Sequence, residues 1–177
     1  MKQLVIAVLL FSALALFAGE TSDMQVKEID SFWYAAVEMK GSYEQHQQAF
    51  QTLYEQAGMQ GLGTDFPSFG IYYDDPSQVT EDELTWEIGL KLEEKTEIKE
   101  PLVLKEWNHT LVASTIYTGS FSSQDFGAAH EKLFQWVMEN GYSPAGPMME
   151  KYMDMPTQNS DGEWEGTINI ILPVAKN

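Results

Sequence analysis

One pattern runs through the sequence twice, about 80 residues apart, so the chain must fold as two copies of one unit with a seam between them. Gly41-Ser42-Tyr43 returns 78 residues later as Gly119-Ser120-Phe121. Ala49, Leu53, Tyr54, Gly61, Tyr72, Asp74 and Pro76 return at a constant offset of 80 as Ala129, Leu133, Phe134, Gly141, Tyr152, Asp154 and Pro156. Thr85-Trp86-Glu87-Ile88 meets Thr167-Ile168-Asn169-Ile170 at an offset of 82, so two small insertions separate the copies. Interfaces between like units are frequent ligand sites.

Each copy reads as strand, helix, strand, strand. In the first, 26–39 is extended, with Phe32-Trp33-Tyr34 and Val37 as strand formers. Residues 43–59 carry Ala49, Phe50, Leu53, Tyr54 and Ala57 at helical spacing. Gly58 and Gly61 are the stop signals. A short aromatic strand over 68–74 and a closing strand over 84–92 complete the unit. The second copy gives a β-branched strand over 111–118 and a helix over 126–139, ended by Asn140-Gly141 as a left-handed cap. Strands over 148–153 and 167–174 follow. The charged stretch 91–101 links repeat one (26–92) to repeat two (102–174). The expected fold class is α+β: a duplicated strand-helix-strand-strand unit with pseudo-twofold symmetry. An antiparallel sheet carries two helices, with a cleft between the halves, in a single domain over 24–177.

Residues 1–19 read as a signal peptide. Lys2 supplies the positive start, 4–17 form an apolar run, and Ala18 and Gly19 are the small residues before Glu20. The run is short of the roughly 20 apolar residues of a membrane span. The expected location is periplasmic or secreted; the alternative is an anchor formed by an uncleaved N-terminal helix, the one route to a membrane partner. There is no cysteine, so neither a disulfide nor a lipid-modified cysteine is available. The chain has 10 lysines, no arginine, 27 acids and a net charge of −17. Such a surface repels nucleic-acid backbones, and without arginine it lacks the bidentate fork for phosphate or carboxylate. Neutral or cationic apolar ligands fit it better than anions.

Several stretches in order then resemble a known family. They are Tyr117-x-Gly119-Ser120-Phe121, Trp136-x-x-x-Asn140-Gly141-Tyr142-x-x-x-Gly146, Glu150-x-Tyr152-x-Asp154-x-Pro156 and Ile171-Leu172-Pro173-Val174. Phe69-Gly70-Ile71-Tyr72-Tyr73-Asp74-Asp75-Pro76 and Trp86-Glu87-Ile88-Gly89 match the first half. Together they resemble the GyrI-like small-molecule-binding family, the effector-binding domains of AraC-type regulators and multidrug-sensing activators. The resemblance covers nearly the whole chain after the leader. It implies a pseudo-twofold fold with an aromatic cleft that binds lipophilic, often cationic molecules, and a cleft-facing glutamate in the final strand. Asn169 stands at that position, and Glu87 holds the carboxylate at the matching place in the first half. Too few residues lie between the leader and the first strand for a fused DNA-binding domain.

Strand alternation sorts the candidate residues by face. In 85–92, Trp86, Ile88, Leu90 and Leu92 form the natural inner face toward the helices, which leaves Thr85, Glu87 and Gly89 for the cleft floor. The second copy places Thr167, Asn169 and Ile171 together. The expected ligand-binding set is Glu87, Asn169, Tyr72, Tyr152, Thr85 and Thr167, with the two tyrosines as aromatic walls carrying hydroxyl handles. A plain alternative puts Glu87 on a wet sheet surface and the tyrosines half-buried in the sheet. His46, His109 and His130 show no metal-ligand spacing, so neither a metal nor a cofactor is expected. The first functional reading is an exported, non-enzymatic binding protein for a lipophilic small molecule, cationic or neutral. The second is a hydrolase of small electrophiles, with Glu87 as general base. A third, by similarity to the SOUL-type fold, is haem binding.

Overall fold

In both repeats, alternating apolar residues fold back beside a short aromatic strand to build one antiparallel sheet. The computed structural model describes residues 19–63 and 67–177. Apart from Gly19, the expected leader lies outside them. The elements are β1 (Glu20–Thr21), β2 (Gln25–Glu28), β3 (Phe32–Lys40), α1 (His46–Met59), β4 (Ser68–Tyr72), β5 (Thr85–Lys91), β6 (Val103–Trp107), β7 (Leu111–Ser120), α2 (Gln124–Glu139), β8 (Tyr142–Pro144), β9 (Met148–Tyr152), β10 (Thr157–Gln158) and β11 (Trp164–Lys176). The sheet order is β1-β7-β11-β9-β4-β5-β3-β6, and it stays open. β3, β5 and β4 belong to the first half, and β7, β11 and β9 to the second. The halves meet where β4 pairs β9, with Gly70 opposite Glu150.

Both helices pack on one face. Ala49, Leu53 and Ala57 of α1 bury against Trp86, Ile88 and Leu90. Ala129, Leu133 and Val137 of α2 bury against Ile168, Ile170 and Leu172. A fully buried leucine contributes roughly 1.5–3 kcal/mol, so these two stripes hold each helix to its own half. Among the described residues, the other face carries no helix. There Tyr34, Ala36, Phe69, Ile71, Trp107, Val112, Met149 and Ile171 bury one another.

Three departures from the sequence expectation concern element boundaries. The extended run over 26–39 is two strands, β2 and β3, broken at Ile29-Asp30-Ser31. Gly58 lies inside α1, and the left-handed residue that ends the helix region is Gly61, with φ +69°. α2 starts two residues early because Ser123 caps it, accepting the Phe126 N–H at 3.1 Å.

The larger surprise is an exchange of arms. β2 leads into repeat one yet pairs with β7 of repeat two, while β6 leads into repeat two yet pairs with β3 of repeat one. The exchange obeys the repeat: Lys27 lies opposite Val112 and Lys105 opposite Tyr34, each pair displaced by 78 residues.

Candidate functional site

The seam on the helix side gathers aromatic and titratable groups. Tyr72 of β4 and Met148, Glu150 and Tyr152 of β9 face the helices here. Each helix adds a stripe beside its core stripe: His46, Phe50 and Tyr54 from α1, and Phe126, His130 and Phe134 from α2, spaced at i, i+4 and i+8. Phe50 packs against the cores of both halves and meets the Tyr152 ring edge-on at 5.2 Å. Tyr43 meets Tyr72 at 5.3 Å, and Phe121 lies 6.1 Å from Tyr152. Most of these rings are half-buried, so they offer apolar area together with polar tips.

Glu150 is the charged centre of this cluster, 9% exposed. Its Oε1 lies 2.8 Å from His130 Nε2, and its Oε2 accepts from the Tyr72 hydroxyl at 3.1 Å. His130 Nδ1 faces the Phe126 carbonyl at 2.8 Å. Both ring nitrogens of His130 therefore face acceptors, an arrangement only the doubly protonated ring satisfies. Burial pulls its pKa down, but the hydrogen bond and charge of Glu150, with the Phe126 carbonyl, outweigh that and raise it above 6.5. His46 shows the opposite shift. Burial dominates and lowers its pKa, against the Tyr43 carbonyl and the Glu150 charge. Burial, then the charge of Glu150, pushes the Tyr72 hydroxyl well above 10, so it keeps its proton.

Counting protons exposes a deficit. His46 Nδ1 bonds the Tyr43 carbonyl, so the neutral ring has a bare Nε2, which lies 2.9 Å from the Tyr72 oxygen. Tyr72 has one hydroxyl proton for two acceptors, His46 Nε2 and Glu150 Oε2. One acceptor always goes without. Gly70 makes the arrangement possible: a Cβ there would stand 2.5 Å from the Tyr72 hydroxyl oxygen, so only glycine lets the tyrosine reach across to Glu150.

The six residues expected to bind ligand do not converge. Tyr72 and Tyr152 face the helices, whereas Glu87 and Asn169 lie on the helix-free face. Glu87 is not a wet carboxylate, since it is 0% exposed. Tyr34 donates to its Oε1 at 2.6 Å, and the Lys105 ammonium bonds its Oε2 while also meeting Glu38 at 2.6 Å. A general base needs a lone pair open to water, so the geometry is against Glu87 in that role. Thr85 and Thr167 hold the hairpin turns: the N–H and hydroxyl of Thr85 bond Asp74, and the Thr167 N–H donates to Asp154 at 2.8 Å. Sequence reasoning missed Glu150, His46 and His130. The available signal was a lone carboxylate in the Met148-Glu150-Tyr152 alternation, beside histidines one position from each helix's core stripe.

Among protein families, residues 22–175 match the GyrI-like small molecule binding domain. DNA gyrase inhibitor 2 of Dickeya dadantii (strain 3937) is 31% identical over 100 residues, which cover 55% of this chain and 62% of that protein. The match thus spans about three fifths of that relative's length. The C-terminal domain of EcmrR, 18% identical, gives a TM-score of 0.66 over 88% of this chain and 98% of that one. The structure of SAV2435 bound to tetraphenylphosphonium gives 0.51 at 12% identity, over 87% and 94% of the two chains. At these identities the structural likeness is one of fold.

Proposed function

The chain belongs to the GyrI-like family of small-molecule-binding domains, and on that premise we propose that it is an exported, non-enzymatic binder of lipophilic molecules that carry a positive charge or a hydrogen-bond donor. The observation that carries this reading is the proton deficit around Tyr72. A ligand that brings a cation or a donor to Glu150 frees the tyrosine proton for His46. Half-buried rings of Tyr43, Phe50 and Phe121 supply the apolar area, and cation–π contact adds about 0.5–2 kcal/mol. SAV2435, which shares the fold, was solved with a lipophilic cation.

Tetraphenylphosphonium, which has charge but no donor, tests the electrostatic part. Glu150→Gln is expected to weaken its binding about tenfold, the equivalent of about 1.4 kcal/mol. His130 sets the pH dependence. Below its raised pKa the imidazolium already neutralises Glu150; above it the carboxylate is uncompensated, so affinity rises as the pH climbs above 6.5. His46, with its lowered pKa, stays neutral through that rise. Equal affinity of wild type and Glu150→Gln, measured by calorimetry, overturns the reading.

Export rests on the leader over 1–19. Intact mass of the protein from its own host is expected to show a chain beginning near residue 20, recovered with the envelope or medium. A full-length mass in the cytoplasm contradicts it.

A further inference from the structure

We propose that the helix-free face of the second half binds a carboxylate-bearing small molecule between Lys27, Lys151 and Asn169. In the first half, the arm residue Lys105 meets the carboxylate of Glu87, which also accepts from Tyr34. In the second half the exchanged arm keeps its lysine, Lys27. The carboxylate and the tyrosine are both replaced, Glu87 by Asn169 and Tyr34 by Val112. Two of three partners have gone together and the cation has stayed.

Further lysines share that face. Lys151 lies opposite Asn169 on one side and Phe69 on the other. Lys91 lies opposite Tyr34, with its ammonium 5.3 Å from the Phe32 ring. The ion pairs among the described residues involve only Lys105 and His130. Lys151 is held below its ordinary pKa by burial first, and then by the charges of Lys91 and Lys27. An otherwise strongly acidic chain thus gathers uncompensated positive charge in one place. Asn169 Oδ1 is buried there without a partner. Turned over, the same amide presents its N–H to an incoming oxygen.

The chemistry favours a carboxylate over a phosphate. The first half already seats a carboxylate against the equivalent lysine. Ile116, opposite Asn169 on the same face and exposed, suits a hydrocarbon body.

Octanoate titrated by calorimetry at pH 7 tests the assignment, with inorganic phosphate as the second arm. One octanoate is expected per chain. Lys27→Met and Lys151→Met should each weaken it about tenfold, the usual scale for a lost charged hydrogen bond. Asn169→Glu supplies the missing carboxylate from within, so it should abolish octanoate binding while tetraphenylphosphonium binding at the seam is unchanged. Absence of octanoate heat in wild type overturns the proposal. So does phosphate binding as tightly as octanoate, which shows a bare anion site. Unaltered octanoate affinity in both lysine variants overturns the location, whether or not Asn169→Glu folds.

Discussion

Lys105→Met is expected to cost about 3 kcal/mol of folding stability, seen as a lower urea midpoint with an unchanged slope. Glu87 is wholly buried, and among the described residues its two oxygens bond the Tyr34 hydroxyl and the Lys105 ammonium, with the Tyr73 hydroxyl close beside them. Removing the ammonium leaves a charge in the interior with one neutral hydrogen bond, and breaking a buried pair from one side typically costs about 3–5 kcal/mol. The lower end applies because the Lys105 side chain is 26% exposed, so water reaches the vacated space. The loss also has a topological part. Lys105 comes from the arm of repeat two and Glu87 from the sheet of repeat one, so the pair fastens the exchanged arm β6 to its host. Lys105→Met with Glu87→Leu should recover most of the loss, since an apolar pair of similar volume often matches a buried ion pair. An unchanged urea midpoint in Lys105→Met would show that Glu87 does not depend on its lysine.

How much of this was legible in the sequence follows from the range of each signal. Alternation in 85–92 placed Trp86, Ile88 and Leu90 under the helix and Glu87 on the other face, because pleat sets side-chain direction locally. Alternation says nothing about which strand comes alongside. The exchange of β2 and β6 was therefore invisible, and with it the lysine that neutralises Glu87. Helical spacing found the core stripes of α1 and α2 for the same local reason. It passed over His46 and His130 because they were weighed as metal ligands, whereas their partners are Tyr72 and Glu150. Those partners become neighbours only when β4 pairs β9, a contact between residues almost 80 apart in the chain.

That pairing makes Gly70→Glu the most instructive single change at the axis, with an expected cost of about 3 kcal/mol at pH 7.5. Two effects add. A Cβ at position 70 would stand 2.5 Å from the Tyr72 hydroxyl oxygen and 2.9 Å from its Cζ, so the tyrosine must leave Glu150. Overpacking of this kind typically costs about 1–3 kcal/mol. The new carboxylate would then lie directly opposite Glu150, where facing Cβ atoms are about 4.5–5.5 Å apart and like charges repel. One carboxyl of such a pair holds its proton in the folded state, so its folded pKa lies above the unfolded value of about 4.3. A carboxyl raised in this way destabilises most at high pH, and the penalty fades as pH falls toward 4.3. Gly70→Gln carries the steric cost without the charge. The urea midpoint of Gly70→Glu should therefore fall below that of Gly70→Gln at pH 7.5 and approach it at pH 5. Equal midpoints at both values would show that the two carboxylates do not meet. Glycine on both sides of the axis would leave the seam without its carboxylate, and glutamate on both sides would place two charges where one fits. The mixed pair gives one carboxylate and the space for the tyrosine that holds it.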